Sequence, residues 1–247
     1  MASSGTVRHP KGPPKPQPNR RAGPFLTVLL DSSVGAKIVV ALTGLGLVTF
    51  TIFHMIGNLK LFQGQDAINA YAHFLKHSLG LLLWIARAGL LILFLLHIIL
   101  AVRLKLRSVA ARPVGYQFPG NVQATISSRT MIWSGVVVGL FVLYHLAHFT
   151  FGWLHGVNLD AVDTKGRADV HAMVVAGFRN PLIAGLYTAA QLALFVHLLH
   201  GIQSAFQTLG LKNRRFAGLI WWLGFLTAHT ILVGNLVIVL GVLLGLV

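Results

Sequence analysis

The sequence predicts an all-α membrane protein with five transmembrane helices. Hydrophobic residues make up 55% of the 247 residues and charged residues only 10%, whereas a typical soluble domain carries about 25% charged residues. Helix is the expected spanning form, because an open sheet would leave backbone groups unpaired in lipid. Five apolar segments each exceed the roughly 20 residues that a helix needs to cross the hydrocarbon core: residues 33–61, 79–105, 129–154, 179–208 and 216–246.

Residues 1–24 differ from the rest of the chain and are predicted to form a flexible, basic, Pro-rich arm. They contain no apolar run of the kind that a secretory signal requires. Residues 25–247 form the predicted transmembrane domain. The whole chain has no Cys, which excludes disulfides, thiol chemistry and iron–sulfur ligation by this chain.

The positive charges predict that the N-terminus lies on the inner, cytoplasmic side of the membrane and the C-terminus on the outer side. The net charge is +15, which in so apolar a chain indicates basic membrane loops rather than a nucleic-acid partner. Arg87 lies within the second segment, and most of the other basic residues fall in regions that would be inside. The exceptions, in regions that would be outside, are Lys60, Lys76, Lys165, Arg167 and Arg179.

Histidines are the main functional candidates, because ionisable side chains are costly inside a membrane. For any one of them, packing against a nearby backbone carbonyl is the plain structural alternative. Those in or near the apolar segments are His54, His97, His145, His148, His197, His200 and His229. The remaining outer histidines, His73, His77, His155 and His171, lie in links where solvated histidines are ordinary.

Two of these histidines are predicted to lie near the outer side. At a rise of 1.5 Å per residue, His54 lies roughly 26 Å from Lys37. On the same scale, His145 lies roughly 24 Å from Arg129. Lys37 and Arg129 both mark the inner end of their helices, so the two histidines share one depth.

Two others are predicted to lie near the inner side. His97 is roughly 31 Å from Lys76, and His197 is roughly 27 Å from Arg179. Both distances are measured from the outer ends of the helices. The four histidines therefore sort into two levels.

Two histidines on different helices at one depth are the ligand set of a b-type haem. Each neutral imidazole donates a nitrogen to one axial face of the iron, and apolar helices hold the porphyrin. His54 with His145, and His97 with His197, would thus hold two haems in a haem-binding bundle. A zinc or copper site would instead need three or four ligands at one level, which these depths do not provide.

A weak internal repeat relates the first two helices to the third and fourth. Thr43-Gly44 precedes His54 as Ser134-Gly135 precedes His145, with ten residues from each Gly to the His. The apolar runs around the second His of each half are also alike. The repeat favours the same four histidines as ligands.

Three histidines have open roles. His148 and His200 each follow a proposed ligand by three residues, which places them on nearly the same helix face. They either compete for the ligand roles or lie beside the ligands. His229 has no partner at matched depth and is interpreted as a packing residue.

Segments spread over nearly the whole chain after the arm carry a family resemblance. They are LTG (42–44), HMIGNL (54–59), NAYA (69–72), WIAR (84–87), ARPVGY (111–116), RTMIWSG (129–135), YHLAHF (144–149), HLLHG (197–201) and QTLG (207–210). In order and spacing they resemble the cytochrome b membrane anchor of succinate dehydrogenase and fumarate reductase, in its single-chain form with five helices and two haems. The resemblance implies axial haem ligands on the first four helices, at His54, His97, His145 and His197.

The resemblance also implies partners and a place in metabolism. A flavoprotein with covalent FAD and an iron–sulfur protein would dock on the cytoplasmic face, and electrons would reach a membrane quinone such as menaquinone or ubiquinone. The complex would belong to the respiratory chain and the tricarboxylic acid cycle, in a bacterial cytoplasmic membrane. Some family members carry a membrane Glu that helps move protons, but this chain contains no Glu.

Two other functions compete with electron transfer from succinate. One is the dihaem anchor of a hydrogenase or formate dehydrogenase, whose partner would dock on the outer side. The basic inner face expected here argues against this alternative. The other is a haem-free transporter or structural subunit with packing histidines. Candidates for a quinone site lie at both faces: Asp66, Tyr71, His73 and His77 outside, and Tyr116 and Arg129 inside.

Arg87 is predicted to bind a haem propionate. It lies roughly 16 Å from the outer end of its helix at Lys76, where an unpaired Arg costs at least about 2.5–3.5 kcal/mol. No Asp or Glu lies in the interior of any apolar segment. The propionates are then the remaining anions at that depth, and snorkelling to the interface is the alternative.

Overall fold

The computed structural model describes residue 24 and residues 29–111, 125–155 and 157–247. Nearly all of the predicted arm lies outside the described residues. So does Tyr116, one of the inner quinone-site candidates.

The described chain is helical, and its one β pairing is an isolated bridge between Val162 and Ala168. The helices are α1 (Ser33–Asn58), α2 (Gln65–His73), α3 (Gly80–Ala110), α4 (Ile126–Arg129), α5 (Met131–His145), α6 (Val170–Phe178), α7 (Pro181–Thr208) and α8 (Ala217–Leu243). A 3-10 turn, Leu59–Gln63, follows α1, and π-helical turns, Phe74–Ser78 and Leu146–Thr150, follow α2 and α5.

The prediction of an all-α membrane protein is confirmed. Five helices are long and apolar enough to cross a membrane: Ser33–Gln63, Gly80–Ala110, Met131–Thr150, Pro181–Thr208 and Ala217–Leu243. They match the five apolar segments of the sequence. The second spanning helix, α3, is longer than predicted and ends at Ala110 instead of residue 105, because the Lys and Arg residues near its end are good helix formers.

Local signals in the sequence set several helix ends. The Ser32 side chain accepts a hydrogen bond from Gly35 N (2.8 Å) and caps α1. The Asn180 side chain accepts a hydrogen bond from Leu182 N (2.9 Å) and caps α7, and Pro181 occupies the first turn. Gly210, with φ of 75°, ends α7 in a Schellman motif.

The spanning helices form a bundle with one open seam. Helix α1 packs against α3 and α7, α7 packs against α5 and α8, and α8 also touches α1. Among the described residues, α3 and α5 do not form a close backbone interface. In the ring α1, α3, α5 and α7, the pairs α1–α5 and α3–α7 therefore face each other across the diagonals.

The two ends of the bundle differ in charge. We call the end that carries Asp66, Asp163 and Asp169 the acidic end. We call the opposite end, where α3 finishes, the basic end. There Arg103 Nη2 binds Asp31 Oδ1 (2.6 Å), and Arg107 Nη1 donates to the Asp31 carbonyl (2.8 Å).

A polar network ties α2 to the loop before α6 at the acidic end. The fully buried Asn69 donates to Asp163 Oδ2 (3.3 Å) and Asp169 Oδ1 (3.1 Å), and its own oxygen accepts from His171 N (3.0 Å). Arg167 binds Asp163 Oδ2 through Nε (2.8 Å) and Nη2 (2.6 Å). The two short segments are thereby fixed over the ends of the spanning helices.

Hydrogen bonds from Arg167 hold the pKa of the Asp163 carboxyl far below its ordinary value. Its stabilising effect is therefore present above the unfolded pKa and is lost as pH falls through the folded value. Asp163→Asn should lower the midpoint of thermal unfolding by several degrees at neutral pH. The difference in melting temperature between Asp163→Asn and the native protein should shrink in acid. Substitution of the exposed Asp160 by Asn should leave the melting temperature unchanged at both neutral and acid pH. Equal melting of the native protein and Asp163→Asn would show that the network contributes nothing.

Candidate functional site

The structure brings the four predicted histidines together as two pairs across the diagonals of the bundle. The imidazoles of His97 (α3) and His197 (α7) have ring centroids 6.4 Å apart. Those of His54 (α1) and His145 (α5) are 5.8 Å apart. We call these the basic-end pair and the acidic-end pair, respectively.

One ring nitrogen of His97 is committed to α1. Its Nδ1 lies 3.1 Å from the Val40 carbonyl oxygen, which can only accept, so Nδ1 carries the hydrogen in the neutral ring. The same Nδ1 lies 3.3 Å from Thr43 Oγ1, whose own hydrogen is directed to Val39 O (2.7 Å). Nε2 of His97 is therefore the nitrogen with the free lone pair.

His197 is held in the same way by α5. Its Nδ1 lies 3.4 Å from Ser134 Oγ, and Ser134 Oγ donates to the Met131 carbonyl (3.0 Å). The hydroxyl oxygen is then the acceptor and His197 Nδ1 the donor. In both imidazoles of the basic-end pair, Nδ1–H is thus hydrogen-bonded and Nε2 keeps a lone pair that could bind a metal. Metal-binding histidines usually show this arrangement.

Glycines leave the space that these two imidazoles occupy. A Cβ at Gly44 would lie 3.1 Å from His97 Cε1, and a Cβ at Gly135 would lie 3.2 Å from His197 Cε1. Both distances are tighter than ordinary van der Waals contact. The repeated hydroxyl–glycine dipeptide of the sequence therefore has one structural role, which is to receive an imidazole from a neighbouring helix.

The two pairs lie at different levels of the bundle. Gly44 and Gly135 mark the level of the basic-end pair, and His54 and His145 lie ten residues further along their helices. Ten helical residues correspond to about 15 Å. The two levels predicted from distances along the sequence are thus the levels at which the side chains meet.

The acidic-end pair has different surroundings. His145 Nδ1 lies 3.3 Å from the Tyr187 hydroxyl on α7. The ring of His54 stacks on Phe50, with centroids 5.3 Å apart. His54 also lines a cavity of about 160 Å³ together with Asn58 and Tyr71.

The geometry of both pairs fits a metal bound between two imidazoles. Rings that bind one metal ion from opposite sides through bonds of about 2 Å place their centroids on the order of 6 Å apart. The observed separations are 6.4 and 5.8 Å. Within the part of the chain that the structure describes, no group of three or more His, Cys, Asp or Glu side chains converges as a metal site. Two imidazoles across one diagonal are the set of side chains that a haem would need at each level.

The remaining histidines of the spans have other neighbours. His148 is fully buried, and its Nδ1 lies 3.0 Å from the Tyr187 hydroxyl. His229 Nδ1 donates to the Phe225 carbonyl (2.9 Å), which agrees with a packing role. No ring contact joins His200 to His97 in the described part of the chain. The diagonal contacts therefore favour His145 and His197, rather than His148 and His200, as the candidate metal ligands.

Arg87 lies on an exposed face of α3. Its guanidinium carbon is 4.9 Å from the centroid of the Trp84 ring, a cation–π arrangement. Such stacking lowers the cost of a charge at this depth. The pairing of Arg87 with a haem propionate stays a prediction.

Three residues that contact the histidine pairs were not predicted from the sequence. Thr43 and Ser134 appeared there only as part of a repeat, and Tyr187 not at all. A hydroxyl next to each repeated glycine was the signal available for the first two.

Comparisons of the chain with family models, with curated proteins and with solved structures found no match.

Proposed function

We propose that this chain is the dihaem cytochrome b anchor of a succinate:quinone oxidoreductase, with its N-terminus on the cytoplasmic side of a bacterial membrane. The observation that carries the proposal is the pair of diagonal imidazole contacts at two levels. At the basic end, both Nδ1 atoms are occupied by acceptors, so that Nε2 of each ring is free to bind.

The chain's own residues would hold and insulate the two groups. Val40, Thr43 and Ser134 fix the orientation of the basic-end imidazoles. Gly44 and Gly135 allow the close approach of the helices. Bound haem would supply a one-electron carrier at each level.

The basic end supports docking of the partner subunits. Lys105, Arg107 and Arg129 are exposed there, as are Arg214 and Arg215 in the link before α8. A surface of one charge sign attracts a partner of the opposite sign and orients it. An iron–sulfur subunit at this end would lie next to the basic-end pair, with the flavoprotein beyond it.

The acidic end supports reaction with quinone. The cavity of about 160 Å³ beside His54 is lined by Asn58 and Tyr71, which supply polar groups, and by apolar side chains. Tyr71 is one of the quinone-site candidates of the sequence. A cavity of this composition suits an apolar ring with carbonyl oxygens.

Haem content tests the proposal. The purified protein should contain about two haems per chain by pyridine haemochrome analysis, because each of the two imidazole pairs would hold one haem. A flavoprotein with covalent FAD should co-purify from native membranes. A value near zero would refute the proposal. Two haems without the flavoprotein would indicate the anchor of another dehydrogenase or of a hydrogenase.

A further inference from the structure

A single hydroxyl lies between two imidazoles at the acidic end. Tyr187 Oη is 3.3 Å from His145 Nδ1 and 3.0 Å from His148 Nδ1. Tyr187 is 3% exposed and His148 is fully buried, so water does not compete for these contacts. The ring of Tyr187 is also fixed, by edge contacts with Phe141 and Phe178.

The hydrogen bonds in this group have one consistent direction. If His145 binds iron through Nε2, its Nδ1 carries the hydrogen and donates to Tyr187 Oη. Among the residues that the structure describes, the acceptor for the hydroxyl hydrogen of Tyr187 is then His148 Nδ1. In that state His148 carries its own hydrogen on Nε2.

His148 Nε2 is the buried side-chain atom without a hydrogen-bond partner among the described residues. A buried polar atom without a partner is costly, and Leu or Phe could fill comparable space without that cost. What His supplies at this position is the acceptor Nδ1. The unpaired Nε2 therefore indicates that the contact between His148 and Tyr187 has a use.

We propose that Tyr187 and His148 are positioning residues for the acidic-end haem, an inference that rests on the proposed function. Tyr187 holds His145 with Nε2 toward the iron, and His148 holds the Tyr187 hydroxyl so that its oxygen accepts from His145. An acceptor at Nδ1–H makes an imidazole a stronger ligand, which favours the oxidised iron. The group thereby lowers the midpoint potential of this haem.

Tyr187→Phe tests the first contact and keeps the ring. Loss of the acceptor should weaken the preference for the oxidised state on the order of tenfold, an upward shift of about 59 mV for one electron. The potential of the basic-end haem should not change, because its ligands are held by Val40, Thr43 and Ser134. Redox potentiometry of the purified complex, with the low-temperature spectrum of each haem, measures both.

Two variants of His148 test the second contact. In His148→Asn, the side-chain oxygen takes the place of Nδ1 and can accept from Tyr187, so the potential should stay at the native value. In His148→Leu, the hydroxyl loses its acceptor and becomes a poorer acceptor itself. The potential should then move upward, by less than in Tyr187→Phe.

The outcomes separate this inference from the proposed function. A native protein without haem refutes the proposed function. Two haems in the native protein, together with unchanged potentials in Tyr187→Phe, overturn the inference alone. If Tyr187→Phe loses the acidic-end haem altogether, the His148 variants decide. A shift in His148→Leu but not in His148→Asn supports the role of the contact, and equal potentials in both overturn it.

Discussion

His97→Ala and His197→Ala should each lower the haem content of the purified protein from about two per chain to about one. The two imidazoles face each other across the bundle at 6.4 Å, and among the described residues no third histidine ring contacts either of them. Only the basic-end component should disappear from the redox titration. His54→Ala and His145→Ala should remove the acidic-end component instead.

His200→Ala and His229→Ala are the matched controls for this experiment. His200 lies on the same helix as His197, three residues away, and His229 is bonded to the Phe225 carbonyl. Both variants should keep two haems at native potentials. If His200→Ala or His148→Ala removes a haem while His197→Ala or His145→Ala does not, the ligands have been assigned to the wrong neighbours.

The helices and the histidine pairs could be predicted because their signals are local in the sequence. Hydropathy over some twenty residues identifies a spanning helix. Depth along a helix follows from a constant rise per residue, so matched levels can be found without knowing which helices touch. The diagonal arrangement of the pairs could not be derived this way, because it depends on how the helices are ordered around the bundle.

Tyr187 shows what depth alone leaves out. It lies 42 residues from His145 along the chain, and its role depends on the rotation of α7 about its own axis. An amphipathic pattern normally reports that rotation. A helix in lipid is apolar on nearly every face, so its sequence carries little of that information.

The polar network at the acidic end was beyond prediction for another reason. Asn69 and Asp169 are 100 residues apart, and the loop before α6 has no periodic pattern. The bonds of Asn69 depend on the exact path of that loop, which composition does not determine.

Substitution of the repeated glycines should empty the basic-end site without unfolding the bundle. A Cβ at Gly44 would already lie 3.1 Å from His97 Cε1, so the branched side chain of Gly44→Val should push the imidazole away from its partner. Gly135→Val should act in the same way on His197, where the distance is 3.2 Å. Each variant should contain about one haem per chain, with the acidic-end haem at its native potential.

Gly89→Val and Gly185→Val provide the controls, because they make the same chemical change in α3 and α7. A Cβ at either position would meet no other atom within 4 Å, and the change in helix propensity is the same. Both controls should keep two haems. Retention of two haems at native potentials in Gly44→Val would contradict the tight seating of His97 against α1. If the controls also lost haem, valine in these helices would be the cause of the loss. Steric contact with the histidines would then not be needed to explain the result.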